Sequence, residues 1–180
     1  MKKIVLIAGT NSSNSINRIL LKYAASQLKN ASFKELLMTD FELPLYGIDY
    51  ENQNGIPTLA HHFKLEIKAC DGILISLAEH NGAYTVAFKN ILDWISRIES
   101  DVWLNKPMLV MATSPGKRGA IGVLEMFYSR YSLVNGNLLG KFSLPYFSKN
   151  FDEAKNLLNE PYHSELGLLI ERFQLVIGTS

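Results

Sequence analysis

Short apolar segments alternate with longer amphipathic segments along the whole chain, and this alternation limits the folds that the sequence can adopt. The apolar segments predict five strands, at residues 2–8, 32–38, 73–77, 108–112 and 141–144. Hydrophobic residues at helical spacing predict helices at about residues 15–28, 57–69, 88–98, 120–134 and 164–177. Strands and helices that alternate in this way form a parallel sheet covered by helices on both faces.

This pattern predicts a single α/β domain over residues 1–180. A five-stranded doubly wound sheet of this size is a flavodoxin-like three-layer α/β/α sandwich, with its parallel strands in the order 2-1-3-4-5. Ligands of such sheets bind outside the carboxyl ends of the strands, where the first and third strands diverge. Residues 40–56 contain Pro44, Gly47 and Gly55, and we expect this long connection to be irregular.

Composition argues against several classes of function. With 47% hydrophobic and 19% charged residues, the 180-residue chain has ample material for a core. A formal net charge of +1 gives no electrostatic reason to expect nucleic acid or an anionic membrane as a partner. No apolar run approaches the roughly 20 residues of a membrane span, and no signal peptide is recognisable. The single cysteine, Cys70, fits inert packing in a reducing compartment, so we expect a cytoplasmic protein.

The polar loop after the first strand, residues 9–18 (GTNSSNSINR), is the leading candidate for a binding site. It ends in the first turn of a helix, where free N–H groups and the positive end of the helix dipole favour an anion. The side chains that could hydrogen-bond phosphate oxygens are those of Thr10, Ser12, Ser13, Ser15 and Asn17. The alternative is that Ser13 or Asn14 merely caps the helix. The loop lacks the glycine patterns of dinucleotide and nucleoside-triphosphate sites.

Two further polar loops follow the third and fourth strands and therefore lie at the same edge of the predicted sheet. One is residues 78–85 (AEHNGAYT), and the other is residues 113–119 (TSPGKRG). Ser114 lies outside any G-x-S-x-G motif, which argues against a nucleophilic serine. The adjacent His61 and His62 point to different sides of a helix, so they do not suit one metal ion.

Together the three loops resemble the NAD(P)H-dependent FMN reductase family, which includes related quinone, azo-dye and chromate reductases. The first loop matches the family's phosphate loop at Gly9, Thr10, Ser15 and Asn17, while Ser12 replaces the usual arginine. The second loop and the helix after it resemble the family's P-E-Y-N-x-S-x-P-x-x-L-K-N-x-L-D-W segment. The matching residues there are Glu79, Asn81, Lys89, Asn90, Leu92, Asp93 and Trp94, and the departures are Ala78, His80, Ala83, Thr85 and Phe88. The third loop resembles a Ser-Pro-Gly-x-x-Gly segment, and the resemblance spans about residues 3–145.

This resemblance implies an FMN-dependent oxidoreductase that passes hydride from NADPH or NADH to free flavin, a quinone or a similar small acceptor. The FMN phosphate would lie on the first loop and the ring against the other two, with no catalytic side chain. The residues implied to contact the cofactor are Thr10, Ser12, Ser15, Ile16, Asn17, Ala78, Glu79, His80, Asn81, Ser114, Pro115, Gly116, Lys117, Arg118 and Gly119. A homodimer or homotetramer is a further expectation from the family. Because Ser12 lacks the usual charge, we expect FMN to bind less tightly than in other members.

Several residues keep more than one interpretation. Three interpretations of His80 are open: contact with the flavin, proton donation to a quinone, and a solvated loop residue. We favour contact with the flavin. For Lys117 and Arg118 the two interpretations are binding of the pyridine-nucleotide phosphates and exposure to solvent without a ligand. Trp94 is a core residue or a subunit contact. For the whole protein, the alternatives are an electron carrier like flavodoxin and a relative that no longer binds flavin.

Two further expectations concern the second loop and its helix. Ala78 and Thr85 stand where the family has prolines, so the loop is less restricted in φ and is expected to be more mobile. Asp93 is expected to form an ion pair with Arg97, one helical turn later.

Overall fold

The computed structural model describes residues 1–155 and 157–178 and has a three-layer α/β/α architecture. The strands are β1 (Lys2–Gly9), β2 (Ala31–Leu36), β3 (Gly72–Leu77), β4 (Glu79–His80), β5 (Ala83–Tyr84), β6 (Met108–Thr113), β7 (Leu138–Leu144), β8 (Phe151–Asp152) and β9 (Leu157–Leu158). The helices are α1 (Ile16–Ser26), α2 (Ile48–Asn54), α3 (Thr58–Ala69), α4 (Val86–Ile98), α5 (Ile121–Tyr131), α6 (Phe147–Asn150) and α7 (Tyr162–Ile177), with a short 3₁₀ helix at Met38–Phe41.

The predicted parallel sheet of five strands is confirmed, but the numbering of its strand order needs correction. Counted over all the strands of the described residues, the order is β2-β1-β3-β6-β7 rather than 2-1-3-4-5. The difference arises because the loop after β3 folds into a separate antiparallel hairpin, β4–β5, before the chain returns to the sheet. A second small hairpin, β8–β9, follows the last strand of the sheet.

Helices cover both faces of the sheet. Because alternate residues of each strand point to opposite sides, each strand contributes apolar side chains to both core layers. On β1, Val5 and Ile7 pack in the core layer under α3, α4 and α5. Ile4 and Leu6 of the same strand face the layer under α1 and α7. Strands buried on both faces explain the continuous apolar segments in the sequence. Within residues 1–155 and 157–178, no helix combines the length and apolar character needed to cross a membrane.

The helices α1 and α4 begin at hydroxyl side chains on the ligand edge of the sheet. Ser15 caps α1, and its Oγ accepts a hydrogen bond of 3.3 Å from the backbone N–H of Arg18. The cap is therefore Ser15, and the alternative that Ser13 or Asn14 caps this helix is wrong. Thr85 caps α4 in the same way, accepting 3.2 Å from the N–H of Phe88.

The connection expected to be irregular, residues 40–56, contains the end of the 3₁₀ helix and the whole of α2, so that expectation is wrong. Tyr46 and Tyr50 pack edge-on against Trp94 of α4, with ring centroids 5.0 and 5.9 Å away. The indole N–H of Trp94 donates to the carbonyl of Pro44 at 2.7 Å, and its side chain is fully buried. Trp94 is thus a core residue that holds the connection against the fold.

Ion pairs on α4 also differ from the expected pattern. Asp93 pairs with Lys89, Nζ to Oδ1 at 2.7 Å, on its own helix. Arg97 reaches instead to Glu51 of α2, Nε to Oε2 at 2.9 Å. The predicted pair between Asp93 and Arg97 is wrong, because α2 supplies a carboxylate that local spacing could not reveal.

Candidate cofactor site

The three polar loops converge at the carboxyl edge of the sheet. Gly9 at the end of β1 lies opposite Leu77 of β3, and Leu77 lies opposite Ala112 of β6. Residues 10–15, 78–85 and 114–120 therefore leave the sheet side by side. The hydroxyl of Thr85 joins two of these loops, because it donates 2.9 Å to the carbonyl of Gly9. A proline at this position, as in the family pattern, has no hydroxyl to make this bond.

Asn17 ties the first loop to the neighbouring strands. Its Nδ2 donates to the carbonyl of Thr113 at 3.1 Å, and its Oδ1 accepts from the N–H of Thr113 at 3.0 Å. The same oxygen accepts 2.9 Å from the hydroxyl of Ser76. Asn17 is 3% exposed, so its amide is a buried bridge between α1, β3 and β6. Although the sequence predicted a cofactor contact here, the side chain is engaged with protein and leaves its backbone N–H for a ligand.

The first loop presents unpaired backbone donors. Among the described residues, the N–H groups of residues 13–17 have no acceptor within the chain. They include the predicted contact Ile16, which stands in the first turn of α1. Donors left free at the start of a helix, together with the helix dipole, form a favourable place for an anion.

Hydroxyl groups shape and extend this row of donors. Thr10 is buried and its Oγ1 accepts 3.1 Å from the N–H of Ser12, which closes a tight turn. The Oγ of Ser15 accepts the capping bond described above. Because each of these oxygens accepts, its own O–H remains available to donate to a bound anion. Ser12 itself is exposed beside the loop, and no charged side chain occurs between residues 10 and 17.

The second loop is the β4–β5 hairpin, whose tip lies in solvent. Asn81 and Gly82 form its two-residue turn, with φ values of 52° and 77°. Positive φ at both turn residues is the type I′ geometry that Asn-Gly favours. The Asn-Gly pair is a local signal for this turn, whereas the sequence analysis predicts only a polar loop at residues 78–85. His80 and Asn81 are exposed, whereas Ala78 and Glu79 at the base are half-buried.

Glu79 fastens the hairpin to the start of α5. Its Oε2 accepts a hydrogen bond of 2.8 Å from the backbone N–H of Val123, which lies in the first turn of α5 and has no partner within the helix. Ala120 stands at the capping position with φ of 58° and offers no side-chain cap. A Cβ on Gly122 would lie 2.8 Å from the same Oε2, so glycine makes room for the carboxylate. Glu79 thus links the β4–β5 hairpin to the start of α5, directly after the third loop, through a partly buried hydrogen bond.

The third loop is fixed by the chain that follows β7. The carbonyl of Gly116 accepts 3.0 Å from the N–H of Tyr146. Gly119 has φ of 55°, and a Cβ there would lie 2.5 Å from the Oγ of Ser143. Gly119 is therefore required by the fold, whereas Gly116 has open space around it. The predicted contacts Pro115, Lys117 and Arg118 are exposed on this loop, and Ser114 is half-buried.

Tyr84 is a neighbour of the site that the sequence analysis missed. It lies on β5 and packs edge-on against Phe88 and Phe127, at 5.5 and 6.4 Å between ring centroids. Burial raises the pKa of its hydroxyl well above the usual value. The aromatic residue beside an Asn-Gly turn could have pointed to such a packed hairpin strand. The ring therefore anchors the hairpin strand β5 to α4 and α5.

This fold and edge define a class: a doubly wound α/β protein with an anion-binding loop at the first helix and two polar loops beside it. The model of the NADPH-dependent FMN reductase family matches residues 2–148 of the chain. The chain therefore belongs to this family, and the resemblance seen in its three loops is confirmed. It is an FMN-dependent NAD(P)H oxidoreductase.

Individual relatives agree with this family. An NADPH azoreductase from Bacillus sp. (strain OY1-2) is 30% identical over 139 residues, which cover 77% of this chain and 74% of the relative. A 2-hydroxy-1,4-benzoquinone reductase from Burkholderia sp. is 35% identical over 118 residues, covering 65% and 63%. FerB, a flavoenzyme NAD(P)H:(acceptor) oxidoreductase from Paracoccus denitrificans, shares the fold with a TM-score of 0.76 and 23% identity, covering 99% of this chain and 98% of that chain.

Proposed function

We propose that this chain binds the FMN phosphate on residues 10–17 and the flavin ring between the β4–β5 hairpin and residues 114–119, and that it reduces quinones. The observation that carries the proposal is the row of unpaired N–H groups at residues 13–17, braced by the buried amide of Asn17. Fixed donors of this kind need no rearrangement to receive a dianion, so they bind it at low entropic cost.

The residues of the third loop fit the edge of a flavin ring. Among the described residues, the backbone N–H groups of residues 116–118 have no acceptor within the chain. Such donors can stabilise the negative charge that develops on a flavin during reduction. The half-buried base of the hairpin, Ala78 and Glu79, would form the opposite wall of the site, and His80 and the Asn81-Gly82 turn are exposed to solvent.

FMN, when bound, supplies a ring that takes a hydride from NADPH or NADH and passes two electrons to an acceptor. The contribution of this chain is binding, orientation and exclusion of water rather than proton transfer by a dedicated side chain. Lys117 and Arg118, exposed on the third loop, would hold the phosphates of the pyridine nucleotide. His80, exposed at the hairpin tip, would contact the flavin and the incoming acceptor.

A quinone is the proposed acceptor because several relatives carry that activity in their names. They include the 2-hydroxy-1,4-benzoquinone reductase of Burkholderia sp. and quinone reductases of Escherichia coli (strain K12) and Pseudomonas putida. A two-electron acceptor also suits a cofactor that delivers hydride equivalents. The cytoplasmic location expected from the sequence stays a prediction.

We also propose a homodimer, formed across the face that carries α2 and the start of α4. Leu45 and Ile48 are 72% and 53% exposed, and Val86 at the start of α4 is 70% exposed. The N–H of Tyr46 donates 2.8 Å to the Oδ1 of Asn90, so the chain beside Leu45 lies against α4. Exposed apolar side chains of this kind often mark an interface. Analytical ultracentrifugation would test this, and we expect a Leu45→Glu variant to shift the protein towards monomer. An unchanged mass for that variant would contradict this interface.

The test of the proposed function is a visible spectrum of the purified protein after titration with FMN, followed by anaerobic NADPH or NADH and then 1,4-benzoquinone. We expect the flavin absorbance of the complex to bleach with the nucleotide and to return with the quinone. A complex that binds FMN but does not bleach would support the electron-carrier alternative. No binding of FMN at all would support the relative that has lost flavin.

A further inference from the structure

The first loop carries a single cation, Arg18, at its last position, and a phosphate dianion favours such a group. Residues 10–17 carry hydroxyl, amide and apolar side chains, and the next residue is Arg18. Arg18 stands in the first turn of α1, where its backbone N–H already donates to Ser15. A guanidinium is the group best suited to paired hydrogen bonds with phosphate oxygens.

Arg18 lines both cavities that flank the first loop. One cavity, of about 160 Å³, is shared with Thr10, Asn11, Ser12 and Ser13. The other, of about 410 Å³, is shared with residues 13–16. Among the described residues, Ser13 and Arg18 line both cavities, so Arg18 is the cation that adjoins the anion-binding donors on either side.

The guanidinium of Arg18 is held by Glu35 on β2, but it is only partly used. Its Nε donates to Oε1 at 2.6 Å and its Nη2 donates to Oε2 at 2.8 Å. Two of its five N–H donors are thus engaged, and the others have no acceptor among the described residues. The Arg18 side chain is 30% exposed, so it is in part accessible to a ligand.

Glu35 both orients this guanidinium and opposes an anion. Its side chain is 21% exposed, and hydrogen bonds from Arg18 hold the pKa of its carboxyl below the usual value. Lys22 lies 3.8 Å from the same carboxylate. Glu35 therefore stays ionised near neutral pH and cancels part of the positive charge beside the loop.

We propose that Arg18 is the charged ligand of the FMN phosphate in this chain, and that Glu35 holds its guanidinium in place while limiting the affinity for the phosphate. The inference rests on the proposed function, because it assigns residues to the phosphate end of the same site. In the complex, Glu35 keeps its two bonds while the free N–H donors of Arg18 turn to phosphate oxygens.

The test compares the dissociation constants of FMN and riboflavin, which differ only by the phosphate, in three variants. Arg18→Gln removes the guanidinium, Glu35→Gln removes the carboxylate charge, and Lys22→Gln is the matched control that removes a cation one turn further along α1. Thermal unfolding of each apo variant checks that the fold is retained. The parent protein, titrated first, separates failure of the proposed function from failure of this inference.

We expect Arg18→Gln to weaken FMN binding roughly tenfold or more, since a charge-assisted hydrogen bond is lost, and to leave riboflavin binding unchanged. We expect Glu35→Gln to tighten FMN binding roughly threefold. Lys22→Gln should change the FMN-to-riboflavin ratio less than about twofold.

The proposal predicts changes of opposite sign in FMN affinity, a decrease in Arg18→Gln and an increase in Glu35→Gln. If Arg18 and Glu35 formed only a structural pair, both substitutions would lower stability and neither would alter the FMN-to-riboflavin ratio, which would overturn the proposal. Equal losses for FMN and riboflavin in Arg18→Gln would overturn it too. A parent protein that binds neither flavin would overturn the proposed function itself.

Discussion

The two ends of the candidate site are built in different ways. At the phosphate end, Asn17 makes three buried hydrogen bonds that lock residues 10–17 to two strands of the sheet. At the ring end, His80 and the Asn81-Gly82 turn are exposed. The base of the hairpin is secured by one bond that Glu79 accepts from the N–H of Val123 and one that Thr85 donates to the carbonyl of Gly9. Five of the departures from the family pattern in the sequence fall on the second loop and its helix. A site of this design can change what its ring end touches while its phosphate end keeps its shape.

The largest effect is expected from Asn17→Ala at the phosphate end. It leaves the N–H and carbonyl of Thr113 and the hydroxyl of Ser76 buried without their partner. Because each such group costs about 1–3 kcal/mol, we expect the free energy of unfolding to fall by roughly 3–5 kcal/mol. Urea denaturation of the apo protein measures this change. Asn11→Ala, at an exposed amide of the same loop, is the control, and an equal loss there would contradict the bracing role of Asn17.

The ring end gives a matched pair of glycines. Gly119→Ala places a Cβ 2.5 Å from the Oγ of Ser143 at a φ of 55°, so we expect a loss of about 2–3 kcal/mol in unfolding free energy. Gly116→Ala has open space and should change it by less than about 0.5 kcal/mol. Thermal or urea unfolding distinguishes the two variants. Similar free energies of unfolding for both variants would show that the third loop can adjust at residue 119, which would contradict the requirement for glycine there.

An intermediate effect is expected at Glu79. Glu79→Ala removes the acceptor for the N–H of Val123 and should lower the free energy of unfolding by about 1–2 kcal/mol. Glu79→Gln keeps an acceptor oxygen and should lose less. Because this residue acts at the ring end, the affinities for FMN and for riboflavin should fall by similar factors in isothermal titration calorimetry. A loss confined to FMN would contradict the division of the site into two ends.

The smallest effect is expected from Ser12→Arg, which adds a cation beside the phosphate end. We expect FMN to bind roughly three- to fivefold more tightly and riboflavin to bind as before, since about 1 kcal/mol is typical of one added charge contact. Ser12→Gln, of similar length but neutral, is the control. FMN binding that stays unchanged in Ser12→Arg would contradict the idea that the missing arginine weakens the site.

The sheet and the position of the site could be predicted from the sequence because both depend on local patterns. Strands covered on both faces appear in the sequence as continuous apolar segments, and the polar loops follow these segments directly. The Asn-Gly turn of the hairpin is also a local signal, although the sequence analysis predicts only a polar loop at residues 78–85. Its recognition would have predicted β4 and β5, and with them the corrected strand numbering.

Other features depend on contacts between distant segments, which no local pattern reports. The helix α2 (IDYENQN) has no apolar periodicity, and it is held by Trp94 and by the ion pair of Glu51 with Arg97. The sequence could place Asn17 at the edge of the site. It could not decide between an amide that faces a ligand and one that faces Thr113, because that choice depends on how closely β6 approaches α1.

The bridge from Asn17 to Thr113 spans 96 residues of sequence, which has a consequence for how the protein is made. During synthesis, the first loop and α1 leave the ribosome long before β6 does. The phosphate loop therefore lacks its brace until the chain has been translated beyond Thr113 and β6 has joined the sheet. Loading of the cofactor is thus expected late in biogenesis, after the central strands have assembled.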